Sequence, residues 1–179
     1  MQRVKNKSNN WVNKDCFGSK PFSVETNFSN WAKIGTRCIS KGKISNLIEN
    51  SLFTDKNNIL NKWKVCTSIG ASSSYLAEPK GQLFSFIMKP GEICTNTYIV
   101  VNTFDDKKSS ENFISYMRTK FFRFMLSLRV LTQIISKEKF SWVPDVEDYT
   151  AKWTDKELYK KYDLTTDEIA YIESKIKTL

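Results

Sequence analysis

Past Phe104 the apolar side chains stop recurring at every second position and begin to recur at alternating steps of three and four. This change of period restricts the fold more than any other feature. From Ser109 or Ser110, either able to cap a helix start, with Glu111 placed favourably in the first turn, the residues Ile114, Met117, Phe121, Phe124, Leu128, Leu131 and Ile135 fall on one stripe. Met125 and Ile134 broaden it. The heptads stop after three, so one long helix packed on a sheet is expected, not a coiled coil. Phe122 and Val130 point elsewhere and imply cover on part of a second side.

Upstream the reading is β. "QLFSFIM" and "CTNTYIVVN" flank "KPGE", whose Pro-Gly pair is a turn signal, and they read as a strand pair. "TRCISK" (Thr36–Lys41) and "KWKVCTS" (Lys62–Ser68) carry β-branched or aromatic positions between polar ones. A short helix ending near Lys62 fits "ENSLFTDKNNILNKW", and Ser68–Tyr75 reads as a flexible loop. Downstream, Thr154-x-x-Glu157 and Thr165-x-x-Glu168 have capping-box spacing and predict two short helices. Leu158, Tyr159 and Tyr162 form the apolar face of the first; Ile169, Ile172 and Ile176 form that of the second. The expected fold is α+β: a mixed or antiparallel sheet, one long helix and a small helical C-terminal piece. The expected divisions are a flexible segment at 1–19, a main body at 20–144 and an acidic helical segment at 145–179.

Charge separates along the same boundary. Residues 1–144 hold 22 Lys/Arg against 10 Asp/Glu, whereas residues 145–179 hold 6 against 9. With no histidine, the net charge of +9 changes little between pH 6 and 8. An anionic partner for the basic part follows, nucleic acid being the commonest; the alternative is solubility charge spread over the surface. Cys16, Cys38, Cys66 and Cys94 are far apart and form no CxxC pair, so free buried thiols in a reducing, cytoplasmic setting are expected. No apolar run is long enough to span a membrane.

Reaction chemistry has little to stand on. Histidine-dependent acid–base or nucleophilic catalysis is excluded, and isolated cysteines offer no zinc ligand set. Six glycines include neither GxGxxG nor GxxxxGK[ST]. Base methylation needs a cofactor-binding βα turn and an aromatic-flanked Pro-Pro or Pro-Cys motif, both missing from this sequence. A loose nuclease match is Pro144-Asp145 with Glu173-x-Lys175, and Asp105 to Lys107 is a second in an expected turn; both also read as ordinary surface charge. Base reading in a groove needs Arg, Lys, Asn or Gln on loops held by a rigid scaffold. The candidates are Asn27, Arg37, Lys41, Lys43, Lys62 and Lys64, with Ser73 and Tyr75 of the Ser-rich loop. Arg118 and Arg129, eleven residues apart on the expected helix, return to nearly the same side and could hold phosphate.

Six segments in order, "KPFSVETNF", "NKWKVCTSIGAS", "GEICTNTYIVV", "ENFISYMRTKFFRFMLSLRVLTQ", "FSWVP" and "WTDKELYKKYDLTTDEIAYIE", span Lys20 to Glu173. Together they resemble the C-terminal region of bifunctional type II restriction–modification proteins, in which a target-recognition domain follows an adenine-N6 methyltransferase core. The chain departs from that family at Ser23-Val24, where Gly-Leu is usual after Pro-Phe. The resemblance implies a DNA-recognition domain covering 20–144, with double-stranded DNA as partner. It places S-adenosylmethionine, Mg²⁺ and base flipping with a methyltransferase and endonuclease region, in cis or in trans. Two other readings stand beside it: a small Mg²⁺-dependent nuclease using Asp145, Glu173 and Lys175, and an interaction subunit docking on a methyltransferase.

Overall fold

A computed structural model of the chain describes residues 2–70, 83–130 and 134–179. Its strands are β1 (Thr36–Ile39), β2 (Ser45–Ile48), β3 (Trp63–Ser68), β4 (Ser85–Met88), β5 (Glu92–Cys94) and β6 (Tyr98–Phe104). Its helices are α1 (Gln2–Lys7), α2 (Lys107–Arg118), α3 (Lys120–Ser127), α4 (Asp155–Lys161) and α5 (Thr166–Lys175). The fold is α+β.

Alternation along β6 explains the layering. Ile99 and Val101 face one apolar cluster, shared with Phe113, Tyr116 and Phe121 of the helices. Tyr98 and Val100 face a second, shared with Cys38, Ile48 and Ile93. Side chains of successive strand residues point to opposite faces, so the antiparallel sheet β4-β3-β6 is covered on both. Helices cover one face. The other carries a small mixed sheet, β2-β1-β5, in which β1 pairs antiparallel with β2 and parallel with β5.

The strand pair expected around "KPGE" is not formed. β4 and β6 both pair with β3, and the turn at Pro90-Gly91 (Gly91 φ +78°) carries the chain from one sheet into β5 of the other. The short helix expected before Lys62 is also missing: that stretch holds a three-residue 3₁₀ turn, Asn50–Leu52, and a loop in which the Asp55 carboxylate accepts from the amides of Ile59 and Leu60.

The single long helix is interrupted at Thr119, whose ψ of 151° is extended. Its hydroxyl accepts from Phe122 N and donates to the Tyr116 carbonyl. The Asp155 carboxylate, from α4, accepts from the amides of Lys120 and Phe121 at 3.1 and 2.8 Å. The first N–H groups of α3, which an uninterrupted helix would have satisfied internally, thus find side-chain acceptors. The start of α2 also lies earlier than expected, capped by Asp106. Phe122 and Val130 are fully buried, as the second covered side required.

Residues 1–19 were expected to be flexible, yet Val4, Val12 and Cys16 are buried in the helical cluster. Val12 N donates to Val143 O at 2.9 Å, and Asp145 N donates to Asn10 O at 3.0 Å. Both capping boxes form as expected, at Thr154/Glu157 and Thr165/Glu168. Leu158, Tyr159, Tyr162 and Ile172 join the same cluster as Val4. All four cysteines are free and buried, and among the described residues no helix is long and apolar enough to cross a membrane.

Candidate nucleic-acid interface

The hairpin joining β1 to β2 presents the most clearly built basic feature. Ser40 N donates to Ile44 O at 2.8 Å, closing a turn in which Gly42 and Lys43 have φ of +74° and +60°. Glycine adopts that conformation freely and lysine rarely does, so something must hold Lys43 there. Tyr98, buried on β6, does so. Its hydroxyl accepts from Lys43 N at 3.0 Å and donates to Ser40 O at 3.1 Å. Lys41, Lys43 and Ile44 are left exposed at the tip. The Lys43 ammonium lies 4.4 Å from the ring centroid of exposed Phe84 and 5.4 Å from that of Phe86, and Phe86 packs edge-on against Tyr98.

The other predicted contacts distribute unevenly. Arg37, exposed on β1, lies 3.5 Å from the Glu92 carboxylate and is partly neutralised. Asn27 is exposed on a loop held by Thr26 and Glu25, both bonded to Asn96, and by the Phe28–Trp31 contact. Lys62 pairs with Asp105. Ser73 and Tyr75 lie outside the described residues.

Lys64 is wholly buried, which removes it from any interface. Its ammonium donates to the carbonyls of Lys62, Leu60, Lys89 and Ile59 at 2.7, 2.8, 3.0 and 3.3 Å. Burial pushes its pKa down to about 8. It ties the loop before β3 to the end of β4.

Arg118 and Arg129 do not share the one helix expected of them, because the break at Thr119 separates α2 from α3 and α3 ends at Ser127. Arg118 is exposed at the end of α2. Arg129 lies beyond α3 with its guanidinium carbon 4.8 Å from the Trp142 ring centroid, and Lys5 approaches the same ring at 5.8 Å.

The three residues of the nuclease reading have separate commitments. Asp145, buried, accepts from Tyr149 Oη and Glu147 N, both at 2.8 Å, and burial raises its pKa. Glu173 accepts from Tyr159 Oη at 2.8 Å and pairs with Lys120. The Lys175 ammonium lies 5.3 Å from the Tyr171 ring centroid. Among the described residues no three His, Cys, Asp or Glu side chains are gathered so as to hold a metal ion.

Sequence reasoning did not find Tyr98 as an anchor, nor Phe84 and Ile44 as exposed apolar neighbours of the lysines. The signal available was Ser-Lys-Gly-Lys, a polar turn around a glycine. In comparisons with family models, curated proteins and solved structures, no match to this chain was found.

Proposed function

We propose that this chain is a DNA-recognition module of a restriction–modification enzyme, working with a methyltransferase and endonuclease region in cis or in trans. The observation that supports this reading is the Lys41–Lys43 turn, which carries two exposed lysines on a backbone held to the central sheet by the Tyr98 hydroxyl. A pinned cationic tip suits duplex DNA because phosphate contacts set register, while base edges are read by neighbouring polar side chains. Asn27 and Arg37 are the exposed candidates for that second role. S-adenosylmethionine and Mg²⁺ would serve the catalytic regions and have no role in this chain. The setting would be the cytoplasm.

The test is equilibrium binding to duplex DNA across a range of salt. Each phosphate contact displaces counterions, so affinity falls steeply with salt, by a slope of about 0.9 per contact in log–log form. Replacing both Lys41 and Lys43 by Ala is expected to reduce that slope by about 2 and to weaken binding to every sequence. Affinity that stays flat between low and moderate salt would sink the reading. Plasmid cleavage by the isolated chain with Mg²⁺, abolished by Glu173→Ala, would replace it with the nuclease.

A further inference from the structure

On the helical side of the molecule, away from the β1–β2 hairpin in sequence and fold, α1, α3 and α5 leave a partly open apolar groove of about 410 Å³. Phe124 of α3 and Leu128 just beyond it line the groove with Tyr171 and Ile172 of α5 and Val4 of α1. Such a volume lies within the roughly 300–1,000 Å³ of sites that take ligands or anchoring side chains. Tyr171 is 55% exposed, an unusual position for an aromatic ring packed edge-on against Phe124. Among the described residues lining the groove the charged ones are Asp167 and Glu168, both acidic.

The chain itself shows what this surface accepts. α1 is a basic helix that sets Val4 into the helical cluster and puts Arg3 3.4 Å from Glu168 and Lys7 beside Asp163. An apolar anchor flanked by cations is thus already seated against the acidic start of α5 and the turn before it. The rest of the groove repeats the same chemistry, apolar walls with the Asp167 carboxylate among them, and among the described residues no helix fills it.

We propose that this groove receives an amphipathic helix of a partner protein, with apolar anchors at i, i+4 and i+7 on one face and lysine or arginine beside them. Helix-in-groove recognition needs an apolar groove with a rim complementary to the flanking charges, and the walls with Asp167 beside them supply these. The inference does not rest on DNA binding.

The experiment uses the full chain and a fluorescein-labelled synthetic helical peptide with Leu at i, i+4 and i+7 and Lys on the flanks. Two control peptides carry Glu in place of Lys, or the same residues scrambled. Saturable binding is expected, weaker by about tenfold for each control. Tyr171→Ser and Asp167→Asn alter exposed side chains, so both variants should keep the wild-type circular dichroism. Each should weaken the Lys peptide by about fivefold. Equal affinity for the Lys and Glu peptides, indifference to both substitutions, or no saturable binding would overturn the proposal. So would self-association in sedimentation that Tyr171→Ser abolishes, which would assign the groove to a second copy. Uptake of an apolar dye that the Lys peptide fails to displace would assign it to a small ligand.

Discussion

The buried hydroxyl of Tyr98 accepts the backbone N–H of exposed Lys43 at 3.0 Å and at the same time donates to the Ser40 carbonyl at 3.1 Å. One side chain of the central sheet therefore fixes both sides of a turn whose Lys43 has a positive φ. Tyr98→Phe keeps the ring and its contact with Phe86 but strips the turn of both bonds. The expected cost is about 1–2 kcal/mol of unfolding free energy. Duplex affinity should fall further than stability explains, because Lys41 and Lys43 lose their fixed placement. Urea denaturation and DNA titration on the same variant check this; unchanged DNA affinity would separate the hairpin from the proposed interface.

Gly35 precedes β1 with φ of +148°, and a Cβ there would lie 2.1 Å from the Ile48 carbonyl oxygen. That oxygen belongs to backbone at the end of β2, where Thr36 pairs with Ile48, so it cannot swing aside without breaking register. Gly35→Ala should cost more than about 2 kcal/mol, combining steric overlap with a conformation that L side chains rarely adopt. Thermal unfolding is the measurement. A variant as stable as the wild type would show that the hairpin tolerates a shifted register.

Asp155 is the first residue of α4 and also caps α3, accepting from Lys120 N and Phe121 N. Asp155→Ala leaves two partly buried amides without acceptors and should destabilise the protein by about 1–3 kcal/mol. Thr119→Ala, which removes the neighbouring cap, should cost about 1 kcal/mol. Both act on one helix start, so the double variant should depart from the sum of the singles. A double-mutant cycle in urea tests this, and strict additivity would mean that the two caps act independently.

These caps also show why part of the fold could be read from the sequence and part could not. The boxes at Thr154/Glu157 and Thr165/Glu168 are local, with both partners three residues apart, and they formed as read. β1 and β3 were legible for the same reason. The break at Thr119 was not, since the apolar stripe runs on through Phe121 and the acceptor that permits the break lies 35 residues away in Asp155. The pairing of β4 and β6 was hidden because β3 takes both, so a turn between neighbours in sequence misled. At the site, Lys41 and Lys43 were legible as exposed charge. Tyr98 looked like one more strand aromatic, because its role lies in a hydroxyl that reaches the hairpin 55 residues away.

Lys64 was the plainest misreading, and it carries a pH dependence. A lysine on a polar-looking strand reads as surface, but β3 is the middle strand of its sheet and both of its faces are covered. The carbonyls of Ile59, Leu60, Lys62 and Lys89 satisfy the ammonium there, while burial lowers its pKa from 10.5 to about 8. Below about pH 8 both folded and unfolded chains hold the proton, and the folded state bears the full cost of a buried charge. Between about pH 8 and 10.5 the unfolded chain keeps the proton that the folded chain has released. Stability contributed by this group must therefore rise with pH through that window, at up to about 1.4 kcal/mol per pH unit. Cys16 and Cys38, whose thiols burial pushes up to about 11 and about 12, act in the opposite direction and mask the effect in the wild type. Lys64→Met isolates it, since the thiols are common to both proteins. The wild type should gain on the variant as pH rises from 8 to 10.5, measured by urea denaturation at each pH. A difference that stays constant over that range would mean that Lys64 keeps its ordinary pKa despite its burial.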